Sequence, residues 1–171
     1  MTAGRAGVTA LGVLMALVMQ VTVFTHLAWD GVVPNLALLV VVAAAIAFGS
    51  RSGLVVGFCA GLALDLMPPA DHVAGRWALA FVLAGYLAGQ VRREAAPALV
   101  QILGTAAASS VVATSVFALS GLVVGDFPVD LGSVLRLIAV ALCLDLLLTP
   151  LVVLPVLRAY ARLHPDRVAV T

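Results

Sequence analysis

The chain has 171 residues, of which 64% are hydrophobic and only 10% are charged, whereas soluble domains are about 45–50% apolar and about 25% charged. A water-soluble fold of this composition would leave large apolar patches on its surface, so an ordinary soluble domain is excluded and lipid is the expected surrounding. The formal net charge of +1 does not indicate a nucleic-acid partner, and none is expected.

Six apolar segments follow one another along the chain, and each is long enough, or nearly so, for a membrane-spanning helix of about 20 residues. The predicted spans are 8–24, 34–48, 53–67, 77–91, 98–124 and 134–157. The first follows Arg5 as in a signal peptide, but no small-residue cleavage site comes after it, so we expect a retained helix. Spans two to four are short and are expected to lie inside the bundle or to borrow flanking residues. The predicted fold is therefore all-α, with residues 1–171 forming a single bundle of six transmembrane helices.

Charged residues are concentrated in the connectors and chain ends, and their signs alternate from one side of the predicted membrane to the other. One side carries the basic residues Arg5, Arg51, Arg92, Arg93, Arg158, Arg162 and Arg167. The other side carries Asp30, Asp71, Asp126 and Asp130, with Arg76 and Arg136 as basic exceptions. Because cytoplasmic connectors are enriched in Arg and Lys, we expect a multi-pass protein of the cytoplasmic (inner) membrane with both termini in the cytoplasm.

Glycines recur every four residues through the third segment and reappear in the fourth. The positions are Gly49, Gly53, Gly57, Gly61, Gly85 and Gly89. Residues four apart lie on one face of a helix, and small residues on such a face let two helix backbones approach closely in lipid. We favour close packing between helices three and four, because Gly and Ala are common throughout the chain, and keep a face for another subunit as the alternative.

Three ionisable side chains lie within or at the end of apolar segments: Asp65, Asp145 and Arg136. Such residues are costly in lipid, and they are therefore candidates for function. At about 1.5 Å per residue the two aspartates reach similar depths and are able to meet. The alternative is that each one is protonated, or hydrogen-bonds to backbone groups such as those freed near Pro68 and Pro150. An aspartyl intramembrane protease is not favoured, since the chain has no GxGD sequence.

No catalytic, metal-binding or cofactor-binding constellation is recognised in the chain. His26, His72 and His164 fall on connectors of both sides, and Cys59 and Cys143 lie in apolar segments without a CxxC spacing, so neither a metal site nor a disulfide is expected. Three further polar residues are expected to form hydrogen bonds between helices, with ligand binding as the alternative. They are Gln20, Asn35 and Thr149.

A series of motifs between residues 34 and 90 occurs in a characteristic order. Pro34 opens the second segment with the sequence PNL, residues 57–66 read GFCAGLALDL, and residues 85–89 read GYLAG. This order resembles the MreD family of bacterial rod shape-determining proteins, in which a proline opens the second helix, a GFxxGLxxDL segment forms the third and a GYLxG element closes the fourth. Chain length, six spans and a proline-containing last helix are also similar to that family.

The resemblance implies a non-enzymatic component of the cell-elongation machinery that needs no cofactor. Its implied partners are the bitopic protein MreC and, within the same complex, MreB, RodA and a class B penicillin-binding protein. It also implies a helix arrangement similar to that of the S components of energy-coupling factor vitamin transporters, whose small-residue docking motif Ala6 and Ala10 match by spacing. A vitamin-binding S component is thus the alternative function, although the helices offer few polar residues for a water-soluble vitamin. Asp65, which the family pattern contains, is expected to fix the loop from Pro68 to Arg76 through hydrogen bonds or an ion pair.

Overall fold

The computed structural model describes residues 2–24, 26, 28–29, 31–68, 73–91, 97–125 and 131–163. These residues contain six α-helices, namely α1 (Ala3–Met19), α2 (Leu36–Phe48), α3 (Ser50–Asp65), α4 (Arg76–Gln90), α5 (Leu99–Val124) and α6 (Leu131–Arg162). A turn of π-helix, Gln20–Phe24, continues α1. The all-α class is confirmed, since the described residues contain no β-strand beyond one isolated bridge between Trp29 and Val32.

Most of the connector charges that give the predicted orientation lie outside the described residues. They are Asp30, Asp71, Arg92, Arg93, Asp126, Asp130 and Arg167, and His72 and His164 lie outside as well. The predicted sidedness of these residues therefore stays a prediction.

Three helical stretches are long and apolar enough to cross a membrane, and they identify the chain as a membrane protein. They are Ala3–Phe24 with 22 residues, Leu99–Val124 with 26 and Gly132–Arg162 with 31. At about 1.5 Å per residue each one covers the hydrocarbon core, which is about 30 Å thick. Helices α2, α3 and α4 have 13, 16 and 15 residues, so a crossing by all six helices stays a prediction.

Helix α2 lies at the centre of the bundle. All of its residues from Leu36 to Ile46 are buried, and α1, α3, α4, α5 and α6 pack around it. A helix that is apolar on every side has no face that prefers water, and here protein covers all of its faces. The short length of α2 follows from this position, because a helix enclosed by other helices does not need to match the thickness of the bilayer by itself.

The connection between α2 and α3 is a single residue, Gly49, which ends one helix and begins the next. Its φ angle of +86° lies in the region that glycine adopts without steric penalty. The chain reverses at this point, so that α3 returns alongside α2. The structure thus places Gly49 at a turn rather than inside α3, where the four-residue spacing had suggested it.

Candidate functional site

The carboxylate of Asp65 binds the start of α4. Asp65 is the last residue of α3 and is only 1% exposed. One of its oxygens accepts hydrogen bonds from the backbone N–H groups of Gly75 (2.9 Å) and Ala78 (3.0 Å), and the other accepts one from the N–H of Trp77 (3.1 Å). The first N–H groups of a helix have no partner within the helix, and the N-cap residue here, Gly75, has no side chain to supply one. A neighbouring helix therefore provides the cap, and its negative charge lies at the positive end of the α4 dipole.

The side chain of Arg76 links the start of α4 to α5 through hydrogen bonds. Arg76 is 5% exposed, and its guanidinium donates hydrogen bonds to the carbonyl of Phe117 (2.8 Å) and to the hydroxyl of Ser120 (3.1 Å). The guanidinium carbon lies 4.1 Å from the centre of the Phe117 ring, and a cation over an aromatic face is stabilised by the ring quadrupole. Gly121 provides the room, because a Cβ atom there would collide with the guanidinium.

Trp77 also packs at this end of α4. Its ring stacks on Phe117 with a centroid distance of 4.1 Å and meets Phe81 edge-on at 5.5 Å. We call the following residues the α4-start cluster: Asp65, Gly75, Arg76, Trp77, Phe117 and Ser120. The cluster joins α3, α4 and α5.

A second buried carboxylate, that of Asp145, binds the start of α2. Asp145 lies on α6 and is 1% exposed. Its oxygens accept hydrogen bonds from the backbone N–H of Asn35 (2.7 Å) and from the hydroxyl of Ser110 on α5 (2.6 Å). The Asn35 side chain accepts a long hydrogen bond from Gln20, whose own oxygen receives the N–H of Ala37, both at 3.4 Å.

We call these side chains the α2-start network: Gln20, Asn35, Ser110 and Asp145. The network joins the π-turn after α1 to α2, α5 and α6. Gln20 and Asn35 are thus engaged in hydrogen bonds between helices, whereas the hydroxyl of Thr149 bonds within α6 to the carbonyl of Asp145.

The two carboxylates bind different helix starts, Asp65 at α4 and Asp145 at α2. Both carboxylates accept hydrogen bonds from backbone groups, as one of the two expectations had it, and the donors lie at helix starts. A proline inside a helix, such as Pro150, frees a carbonyl, which accepts hydrogen bonds, whereas a carboxylate needs donors. The free donors of a helix are the N–H groups at its start, and these are the groups that both side chains bind.

The glycine row lies between α3 and α4. Its members at this interface are Gly53, Gly57, Gly61, Gly85 and Gly89. A Cβ atom added to Gly57 would lie 2.8 Å from the carbonyl carbon of Phe81, and one added to Gly61 would lie 2.6 Å from that of Trp77. Such distances to backbone atoms leave no space for a side chain. The row therefore faces the inside of the protein, and the backbones of α3 and α4 lie in direct contact along it.

The remaining candidates of the sequence lie on the surface of the bundle. Arg136 is exposed near the start of α6, where it lines a groove of about 320 Å³ together with Val32 and Ser133. Cys59 and Cys143 are exposed and unpaired. Among the described residues, no group of three His, Cys, Asp or Glu side chains is close enough to hold a metal ion.

Several residues that form contacts between helices were not predicted from the sequence. Ser110 and Phe117 lie on α5, and the hydroxyl of Thr9 on α1 lies 2.7 Å from that of Tyr160 on α6. For α5 the sequence does contain a pattern that indicates a polar helix face. Hydroxyl residues recur there at four- and five-residue intervals, and all four are buried: Thr105, Ser109, Ser110 and Thr114. No comparable pattern marks Thr9.

Comparison with models of protein families gives a match along almost the entire described chain. The model described as rod shape-determining protein MreD matches residues 4–161. The matched range includes the α4-start cluster, the α2-start network and the glycine row. Comparisons with curated proteins and with solved structures gave no match.

Proposed function

Since the chain belongs to the MreD family of rod shape-determining membrane proteins, we propose that it scaffolds the cell-elongation machinery without being an enzyme. In this proposal it binds MreC directly, and MreB, RodA and a class B penicillin-binding protein belong to the same complex. The chain resides in the inner membrane with both termini in the cytoplasm, as the arginine distribution favours. The helix arrangement similar to that of S components, which the resemblance implies, belongs to this proposal too.

The observation that supports a scaffold is that the buried ionisable side chains bind other groups of the protein itself. Asp65, Arg76 and Asp145 are at most 5% exposed and hydrogen-bond to helix starts, carbonyls or hydroxyls of the protein itself. Ionisable groups that serve transport or catalysis face a pathway or cavity where a substrate reaches them. Buried polar groups that are satisfied by one another instead make a structure more rigid, which suits a protein that positions its partners.

A direct test is depletion of the protein in a rod-shaped cell that depends on it. We expect cells to swell or become round, and MreC to lose its normal localisation, because the scaffold that holds the synthesis machinery is absent. An Asp65→Ala copy should fail to restore the rod shape, and Cys143→Ser, at an exposed position, should restore it. Depleted cells that keep both their shape and their MreC distribution would contradict the proposal.

The alternative from the sequence, a vitamin-binding S component, makes an opposite prediction. Such a component would bind its vitamin in detergent with a dissociation constant below about 1 μM, and the change of Asp65 or Arg136 would remove that binding. The family match favours shape determination. Isothermal titration with candidate vitamins should therefore give no heat of binding for the wild-type protein.

A further inference from the structure

An apolar groove of about 370 Å³ runs between α1 and α3. Its lining includes Ala10 and Val13 of α1 and Cys59, Ala60 and Ala63 of α3. The lining side chains are small or aliphatic, so the groove has almost no polar surface and suits a hydrocarbon.

The length of the groove suits an acyl chain. Its α1 wall extends from Ala6 to Leu17, a length of about 16 Å at the rise of an α-helix. An extended hydrocarbon chain lies along such a wall and meets aliphatic side chains over its whole length.

Both helices that form the groove start at the same end of the bundle. Thr9, near the start of α1, bonds to Tyr160 in the last turn of α6, and the Tyr160 ring packs on Phe48, the last residue of α2. Helix α3 begins at Ser50, two residues after Phe48. The same end of the groove is thus formed by the first turns of α1 and α3.

This end of the groove carries two arginines. Arg5 lies four residues before Thr9, and Arg51 lies four residues before Val55; both Thr9 and Val55 line the groove. Residues four apart share a face of a helix, so each arginine lies on the groove side of its helix.

The two arginines differ in their surroundings. The guanidinium carbon of Arg5, which is half-buried, lies 5.4 Å from the centre of the Phe48 ring, and its buried Nε atom has no hydrogen-bond partner among the described residues. Arg51 is exposed. The only acidic residues within the described ranges, Asp65 and Asp145, bind the starts of α4 and α2. Within the part of the chain that the structure describes, no carboxylate therefore pairs with the two arginines at this end of the groove.

We infer that the α1–α3 groove binds one anionic phospholipid, with an acyl chain in the groove and the phosphate at Arg5 and Arg51. Basic pockets between transmembrane helices bind anionic headgroups in this way. A zwitterionic lipid brings the same chain but a headgroup with its own positive charge, which two arginines do not favour. This binding site is independent of the proposed scaffold function, because it requires only residues of α1 and α3.

Native mass spectrometry of the detergent-purified full chain tests this assignment with phosphatidylglycerol and phosphatidylethanolamine of identical acyl chains. We expect phosphatidylglycerol to bind more tightly. Arg51→Gln should weaken its binding about fivefold, and Arg5→Gln combined with Arg51→Gln should weaken it further, with a smaller effect on phosphatidylethanolamine. The matched control is Arg158→Gln, an exposed arginine two residues from Tyr160 and thus at the same end of the bundle, which should leave lipid binding unchanged.

A second set of measurements tests the position of the acyl chain. Ala10→Phe, at an exposed position of the groove, should fold normally and reduce phosphatidylglycerol binding, because the ring fills the space. Glycerophosphoglycerol, which has the headgroup but no acyl chain, should not compete.

Three results would overturn the assignment: equal retention of both lipids, equal weakening by Arg158→Gln and Arg51→Gln, or unchanged lipid binding in Ala10→Phe. Loss of a protein partner with lipid binding intact in Ala10→Phe would identify the groove as a protein-docking surface instead. If the double variant does not fold, Arg51→Gln alone tests whether the arginines bind the lipid phosphate.

Discussion

Asp65 and Asp145 are both buried, and each binds the start of another helix. Their partners differ in whether they only donate hydrogen bonds or are also able to accept them. Asp65 faces the backbone N–H groups of Gly75, Trp77 and Ala78, which only donate. Asp145 faces one backbone N–H and the hydroxyl of Ser110, and a hydroxyl is able to reverse its role. Asparagine, which has nearly the same shape as aspartate, is therefore a different replacement at the two positions.

We expect Asp65→Asn to lower the free energy of unfolding by about 1–3 kcal/mol, because the new NH₂ group faces N–H donors and leaves at least one of them unpaired. Asp145→Asn should lower it by about 1 kcal/mol or less, since Ser110 accepts a hydrogen bond from the new amide while the remaining oxygen keeps the N–H of Asn35. Thermal unfolding of both variants in the same detergent measures the difference. Equal destabilisation would contradict these hydrogen-bond assignments.

At the scale of single residues, the sequence identified both buried carboxylates and the loop before α4 as a partner of Asp65, which accepts the N–H of Gly75, but it did not identify the partners of Asp145. An aspartate within an apolar run is conspicuous, because its burial demands compensation. The donors that satisfy Asp65 are ten to thirteen residues away along the chain, and Asn35 lies 110 residues from Asp145. Such pairings depend on which helix starts lie beside which side chain, and this follows from the packing of the whole bundle.

At the scale of helices, the contact between α3 and α4 depends on the absence of side chains at its glycines. We expect Gly57→Leu or Gly61→Leu to force the two helices apart and to destabilise the protein by about 3 kcal/mol or more, because the neighbouring atoms belong to backbone that is unable to move aside. Gly104→Ala is the control, since a Cβ there meets nothing within 4 Å. The yield and melting temperature of folded protein should fall only in the leucine variants. A leucine variant that stays folded but loses MreC would instead place the row at a subunit interface.

The positions of the helices were largely predictable from the apolar segments, and the differences at their ends have local causes. Helix α2 begins at Leu36 rather than Pro34, because Asn35 is its N-cap residue and gives its N–H to Asp145. Helix α6 covers Leu131–Arg162, beyond the predicted 134–157. The apolar pattern covers only the residues that face lipid, whereas the backbone hydrogen bonds of the helix continue beyond them, so the helix is longer than the apolar segment.

At the scale of the whole molecule, one buried short helix is surrounded by neighbours that include three long ones. The arginine distribution predicts the orientation of this bundle in the membrane. We expect fusion reporters at the N-terminus, at Arg92 and after Arg158 to give a cytoplasmic signal. Reporters at Asp30, Asp71 and Asp126 should give an external one. An external signal at Arg92 would contradict six crossings.

A scaffold that binds MreC should bring MreC with it when the tagged chain is purified from detergent-solubilised membranes, and quantitative co-purification measures this. We expect MreC to be recovered with the tagged wild-type chain and with Asp145→Asn, which keeps its hydrogen bonds, and in smaller amounts with Asp65→Asn, in which at least one N–H group at the start of α4 is unpaired. Folded wild-type protein that recovers no MreC would contradict the proposed scaffold function.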